Sequence, residues 1–70
     1  MRELTDRQAE VMRVFRELHE LYGSAPTSRE MADVMGISRT AIDQHVTALV
    51  RKGSLTKRPG VNRGLKEVAL

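Results

Sequence analysis

Seventy residues make one domain at most, and a chain this short buries only about 60% of the surface its unfolded form exposes, so its stability must be modest. The absence of cysteine excludes disulfide staples and thiolate zinc sites, and with Phe15 and Tyr22 as the only Phe, Trp or Tyr residues, a single-strand binder built on stacked bases is disfavoured. The formal charge of +3 is unevenly spread: residues 1–50 hold six Lys/Arg against eight Asp/Glu (net −2), and residues 51–70 hold six against one (net +5).

Leu4-Thr5-Asp6-Arg7-Gln8 reads as a helix start, with Thr5 as N-cap, Gln8 reaching back from the third helical position and Asp6 beside the positive helix end. Val11, Phe15, Leu18 and Tyr22 recur at helical spacing, and Val14 and Leu21 widen the same stripe; Arg13, Arg16, Glu17 and Glu20 fall on the wet side. Tyr22-Gly23-Ser24-Ala25-Pro26 ends this helix, because glycine suits the left-handed position after a helix and proline cannot continue one. Thr27 with Glu30 predicts a second capping box, opening a helix of roughly two turns whose apolar positions are Met31, Ala32, Val34 and Met35. Gly36 closes it, Ile37 plugs the corner, and Ser38 caps a third helix. In that helix Ile42, Val46 and Leu49, with His45 and Val50 alongside, trace an inward face; Arg39, Thr40, Asp43, Gln44 and Thr47 trace an outward one, and Gly53 stops it.

Beyond Gly53 the period changes. Ser54–Lys57 and Gly64–Val68 alternate partially around a Pro-Gly turn that also carries Asn62, which predicts a β-hairpin. The expected architecture is mainly α with a small β-hairpin: one domain over residues 1–70, a winged helix-turn-helix of three helices and a C-terminal wing. No apolar run approaches the roughly 20 residues that span a bilayer, and the N-terminus lacks the apolar stretch of a secretory signal. A soluble, unprocessed, cytoplasmic protein with no membrane partner is expected.

With these elements in order, the chain resembles the N-terminal DNA-binding domain of LexA-type repressors across nearly its whole length. The resemblance rests on Leu4-Thr5-Asp6-Arg7-Gln8, on Ala25-Pro26-Thr27-Ser28-Arg29-Glu30-Met31-Ala32, on His45 through Gly53, and on Arg63-Gly64-Leu65 at the wing. It implies sequence-specific binding to double-stranded DNA by a transcriptional regulator, a repressor, with the third helix in the major groove and the wing on the phosphate backbone. Two departures stand out: the Gly36-Ile37-Ser38 turn is one residue shorter than the LexA pattern, and Arg39 and Gln44 differ from it, so no operator sequence carries over. The self-cleaving serine-lysine domain that follows in LexA is not represented, which leaves a stand-alone regulator or an excised domain of a larger repressor as the two expectations.

Arg39, Thr40, Asp43 and Gln44 are the base-readout candidates, with Ser38 and Thr47 at the margin. Arg can donate twice to guanine, Gln can pair both edges of adenine, and Asp can accept from cytosine N4. An ordinary solvated helix face would carry the same residue types; position after the turn is what favours readout. Phosphate candidates are Arg51, Lys52, Lys57, Arg58 and Arg63, with Asn62 at the wing tip and Thr27 and Ser28 at a helix N-terminus, where capping alone is the simpler role. His19 and His45 lack convergent ligands for a metal, and Ser24, Ser28, Ser38 and Ser54 sit in no nucleophile elbow, so neither cofactor nor enzymatic activity is expected. Met12, Met31 and Met35 read as core filling. Two copies on paired half-sites are expected, since one such module covers only about 600–1,000 Å². The alternative from another class is a winged-helix interaction module, for example phage-encoded, that binds a host regulator or polymerase through the same face.

Overall fold

In the computed structural model, residues 3–58, 60 and 63–68 are described. Their order is α1 (Asp6–Tyr22), α2 (Ser28–Met35), α3 (Arg39–Arg51), β1 (Leu55–Lys57) and β2 (Leu65–Glu67), the winged helix-turn-helix arrangement. Each helix starts where a hydroxyl can satisfy an otherwise unpaired amide. Thr5 Oγ1 accepts from the Gln8 amide at 3.1 Å while Gln8 Oε1 accepts from the Thr5 amide at 3.1 Å. Thr27 repeats the exchange with Glu30, at 3.1 and 2.8 Å, and Ser38 Oγ accepts from the Ala41 amide at 3.1 Å.

The turn between α2 and α3 depends on Gly36, whose φ of 67° places it in the left-handed region. The Ile37 amide then bonds back to the Ala32 carbonyl, and the Ile37 side chain packs against the core beneath the corner. Gly53, at φ 84°, ends α3 in the same manner: its amide bonds the Val50 carbonyl and the Ser54 amide the Leu49 carbonyl. From there the chain enters an antiparallel hairpin with Leu55 opposite Glu67, Thr56 opposite Lys66 and Lys57 opposite Leu65.

One cluster holds these elements together. Val11, Met12, Val14, Phe15 and Leu18 of α1 meet Met31 and Ala32 of α2, Ile42, Val46 and Leu49 of α3, and Leu55 and Leu65 of the hairpin. Leu4, Ala25 and Met35 pack at its margin. The predicted apolar stripes run past this cluster in places. Tyr22 and Leu21 stand 51% and 73% exposed, because α1 continues a full turn beyond Leu18, its last buried residue. Val34 is 56% exposed, since Met31, Ala32 and Met35 already define the inward arc of α2 and Val34 lies about 100° from its centre. Val50, at the edge of the α3 stripe, is partly exposed. Conversely Gln8 is buried, with its carbonyl oxygen satisfied by the Thr5 amide and by the Lys52 ammonium at 2.5 Å.

Leu49, in the last turn of α3, is fully buried in the core. Leu49→Ala is expected to cost about 2–5 kcal/mol, a large share of the stability of a domain this size. Urea denaturation monitored by circular dichroism checks this; a loss below about 1 kcal/mol would contradict the central placement.

Candidate nucleic-acid interface

Helical periodicity makes the interface a consequence of the core. With Ile42, Val46 and Leu49 committed inward, Arg39, Thr40, Asp43, Gln44 and Thr47 project to solvent, and all five are exposed. Thr40, Asp43, Gln44, Thr47 and Arg51 line a shallow groove of about 400 Å³ along α3. Asp43 also belongs to a second cleft of about 200 Å³, where α3 meets the first turn of α2 and the tip-side end of the hairpin strands. That cleft brings together Thr27, Ser28, Arg39, Lys57 and Arg63, residues from four separate segments of the chain. The two depressions share Asp43 as a lining residue, so the polar side of α3 and the basic side of the hairpin adjoin there.

Hydrogen bonding differentiates these side chains. Ser38 and Thr27 use their hydroxyl oxygens as helix-cap acceptors, which leaves each hydroxyl proton to donate outward. Thr47 donates its hydroxyl to the Asp43 carbonyl at 2.9 Å, so its methyl and an oxygen lone pair are what it can offer a ligand. Ser28 is half-buried in the cleft, and Arg51, Lys57 and Arg58 are exposed. Asn62, assigned from sequence to the wing tip, lies outside the described residues.

Lys52 and Arg63, both predicted phosphate ligands, are engaged within the protein. Lys52 Nζ donates to Gln8 Oε1 and, at 3.0 Å, to the Glu3 carbonyl, tying the end of α3 to the start of α1. Arg63 has a positive φ of 59°, and its guanidinium grips the α2 entrance: Nη1 donates to Glu30 Oε1 at 2.8 Å and to the Ala25 carbonyl at 3.1 Å, and Nη2 donates to Glu30 Oε2 at 3.0 Å. These bonds occupy three of the five guanidinium protons, so part of the group still faces outward. The Arg63 guanidinium first, then the Thr27 amide, lower the Glu30 pKa to about 2, and the Arg63 pKa is raised by the same carboxylate.

Neither internal use was read from sequence. In both cases the acceptor is the third residue of a capping box, Gln8 or Glu30, whose side-chain oxygen serves a local amide and a distant cation together. The local half of that arrangement was visible as a motif; the distant half joins residues 44 and 33 positions apart. Pro26, fully buried on the cleft wall, was read only as a helix terminator. His45 is half-buried beside the core and His19 stacks obliquely on Phe15 at 5.9 Å. Among the described residues no three His, Cys, Asp or Glu side chains gather as a metal site would require, and no helix is long and apolar enough to cross a membrane.

Comparison with known proteins adds an independent line. The LexA DNA binding domain family matches residues 1–64. The chain is similar to the LexA repressor of Geobacter metallireducens, with 44% identity over 97% of this chain and 34% of that protein. It is also similar to the LexA repressors of Tolumonas auensis (40% identity; 94% of this chain, 32% of that protein) and Pseudomonas aeruginosa PAO1 (39%; 94% and 33%). The chain thus spans about a third of the length of the curated relatives it matches.

The Glu30 carboxylate has its own signature in acid. Its folded-state pKa lies below the ordinary value of 4.5, so its contribution to stability is complete above that range and is lost as pH falls through about 2. The stability difference between the wild type and Glu30→Gln is expected to shrink as pH is lowered from neutrality to about 2. Denaturant titrations of both proteins across this range provide the check, and a pH-independent difference would contradict the ion pair.

Proposed function

The chain belongs to the LexA DNA-binding domain family, and from that premise we propose that it binds double-stranded DNA sequence-specifically as a LexA-like transcriptional repressor. In this reading α3 enters the major groove, the hairpin lies along the phosphate backbone, and repression follows from occupying an operator. The observation that carries it is the continuity of the α3 face with the basic cleft: Arg39, Thr40, Asp43, Gln44 and Thr47 stand in one exposed row that runs into the cleft lined by Thr27, Ser28 and Lys57.

Roles follow from side-chain chemistry. Arg39 suits the paired acceptors of guanine and Gln44 the donor and acceptor of adenine. Asp43 suits the cytosine amino group and Thr40 either kind of edge. Thr47, with its hydroxyl proton already donated, suits apolar contact with a thymine methyl group. Ser38 sits at the margin of the row. Arg51, Lys57 and Arg58 are the exposed cations placed to meet phosphates, with the Thr27 and Ser28 hydroxyls at the α2 N-terminus assisting. Two copies on paired half-sites would bring the buried surface to the range of specific complexes.

Gln44→Ala is expected to relax preference at a single base position, at a cost of about 1–3 kcal/mol for the preferred base. Selection from random duplexes reads this directly, and an unchanged profile would remove Gln44 from readout. Arg58→Ala is expected to weaken all duplexes by a similar factor and to reduce the slope of log affinity against log salt by roughly 0.9. Loss confined to one sequence would overturn its phosphate assignment.

A further inference from the structure

The hairpin is anchored by Leu55 and Leu65 in the core and, at its base, by Arg16, which donates from Nε and Nη2 to Glu67 Oε2 at 2.9 and 2.7 Å. Toward the tip, the hold on the body passes through Arg63, which reaches the Ala25 carbonyl of the α1–α2 connection and both oxygens of Glu30. Glu30 is itself fixed, because Oε1 also accepts the Thr27 amide at 2.8 Å. The cleft containing Arg39 and Lys57 lies between the parts so joined: Thr27 and Ser28 on one wall, Arg63, Gly64 and Leu65 on the other.

We infer that Glu30 is the positioning residue of the wing: by capping α2 and gripping Arg63 with one carboxylate, it sets the hairpin beside α3 at the spacing a duplex requires. An acidic side chain on a DNA-facing flank would ordinarily weaken binding through repulsion of phosphate. Here the geometry assigns it the opposite sign, because the order it imposes on Lys57 and its neighbours outweighs one negative charge already neutralised by Arg63. Arg63 correspondingly acts mainly as the other half of the clasp. The inference rests on the DNA-binding reading for its consequence, while the clasp itself is a property of the free protein.

Glu30→Gln separates the two duties of the carboxylate. A glutamine at this position keeps the cap, as Gln8 does in the first capping box, yet loses the bidentate charged acceptor for Arg63. In the free protein, hydrogen exchange at the tip-side hairpin amide of Arg58, which bonds to the Gly64 carbonyl, is expected to accelerate several-fold, while the Val68 amide at the base, bonded to the Ser54 carbonyl, and the core of α3 are unchanged. With a duplex selected by the wild type, affinity is expected to fall roughly three- to tenfold, with the salt slope preserved. Arg63→Lys, which retains the charge, should show the same loss, and the double variant should be no weaker than either single one. Asp33→Asn removes an equal charge from an exposed position on α2 and should leave affinity unchanged or raised.

Unaltered exchange at the Arg58 amide in Glu30→Gln overturns the clasp whether or not DNA binds. Tighter or equal duplex binding by Glu30→Gln, or a slope reduced by roughly 0.9 in Arg63→Ala, overturns the positioning role and returns Arg63 to direct phosphate contact. A wild type that binds no duplex even at low salt defeats the DNA-binding reading instead, and the exchange measurement still decides the clasp.

Discussion

Burial of one side of α3 is the constraint on which the other features depend. Ile42, Val46 and Leu49 occupy the interior shared by α1, α2 and the hairpin, and a helix has only 3.6 residues per turn in which to place the rest. Once those three are inside, the direction of Arg39, Thr40, Asp43, Gln44 and Thr47 is no longer free. The same burial holds the α2–α3 corner, because the Gly36 turn brings Ile37 against that cluster and delivers Ser38 as the cap of the next helix. A row of flexible polar side chains therefore acquires a defined direction from aliphatic packing alone.

Electrostatics adds a division of labour among the cations of the C-terminal segment. Lys52 and Arg63 are directed back into the body, each onto the side-chain oxygen of a capping box. Lys57 and Arg58 remain on the hairpin surface, Lys57 within the cleft and Arg58 beside it. The first pair orients secondary-structure elements and the second presents charge. Ion pairs open to solvent contribute little to stability on average, so the value of the Arg63–Glu30 contact lies more in geometry than in folding free energy. Its two parallel N–H···O bonds specify a direction as a single contact does not. In a chain without cysteine, and with few aromatic groups, such polar contacts act beside the burial of Leu55 and Leu65 in fixing a short hairpin against a small core.

Three helices with their caps, three glycine stops, a terminal hairpin and the inward and outward faces of α3 were legible from local pattern. The caps, stops and helix faces depend on neighbours within about four residues, the range over which capping and helical periodicity act, and the hairpin on a turn that pairs residues 8 to 12 positions apart. The Thr5–Gln8 and Thr27–Glu30 boxes, the Ser38 cap and the Ile42–Val46–Leu49 stripe all belong to this class. The extent of the stripes was less legible, as Tyr22 and Val34 show: periodicity indicates which way a side chain points but not whether another element is there to cover it.

The amino-acid order by itself determined the fold class, the element boundaries and the row of polar residues opposite the core, because those follow from hydrogen bonding and periodicity within a turn or two. Tertiary structure alone decided that Thr27, Ser28, Arg39, Lys57 and Arg63 meet in one cleft, and that Lys52 and Arg63 spend their donors on Gln8 and Glu30. The physical reason is separation along the chain: these contacts close loops of tens of residues, and the packing of the helices fixes which side chains come within reach of one another.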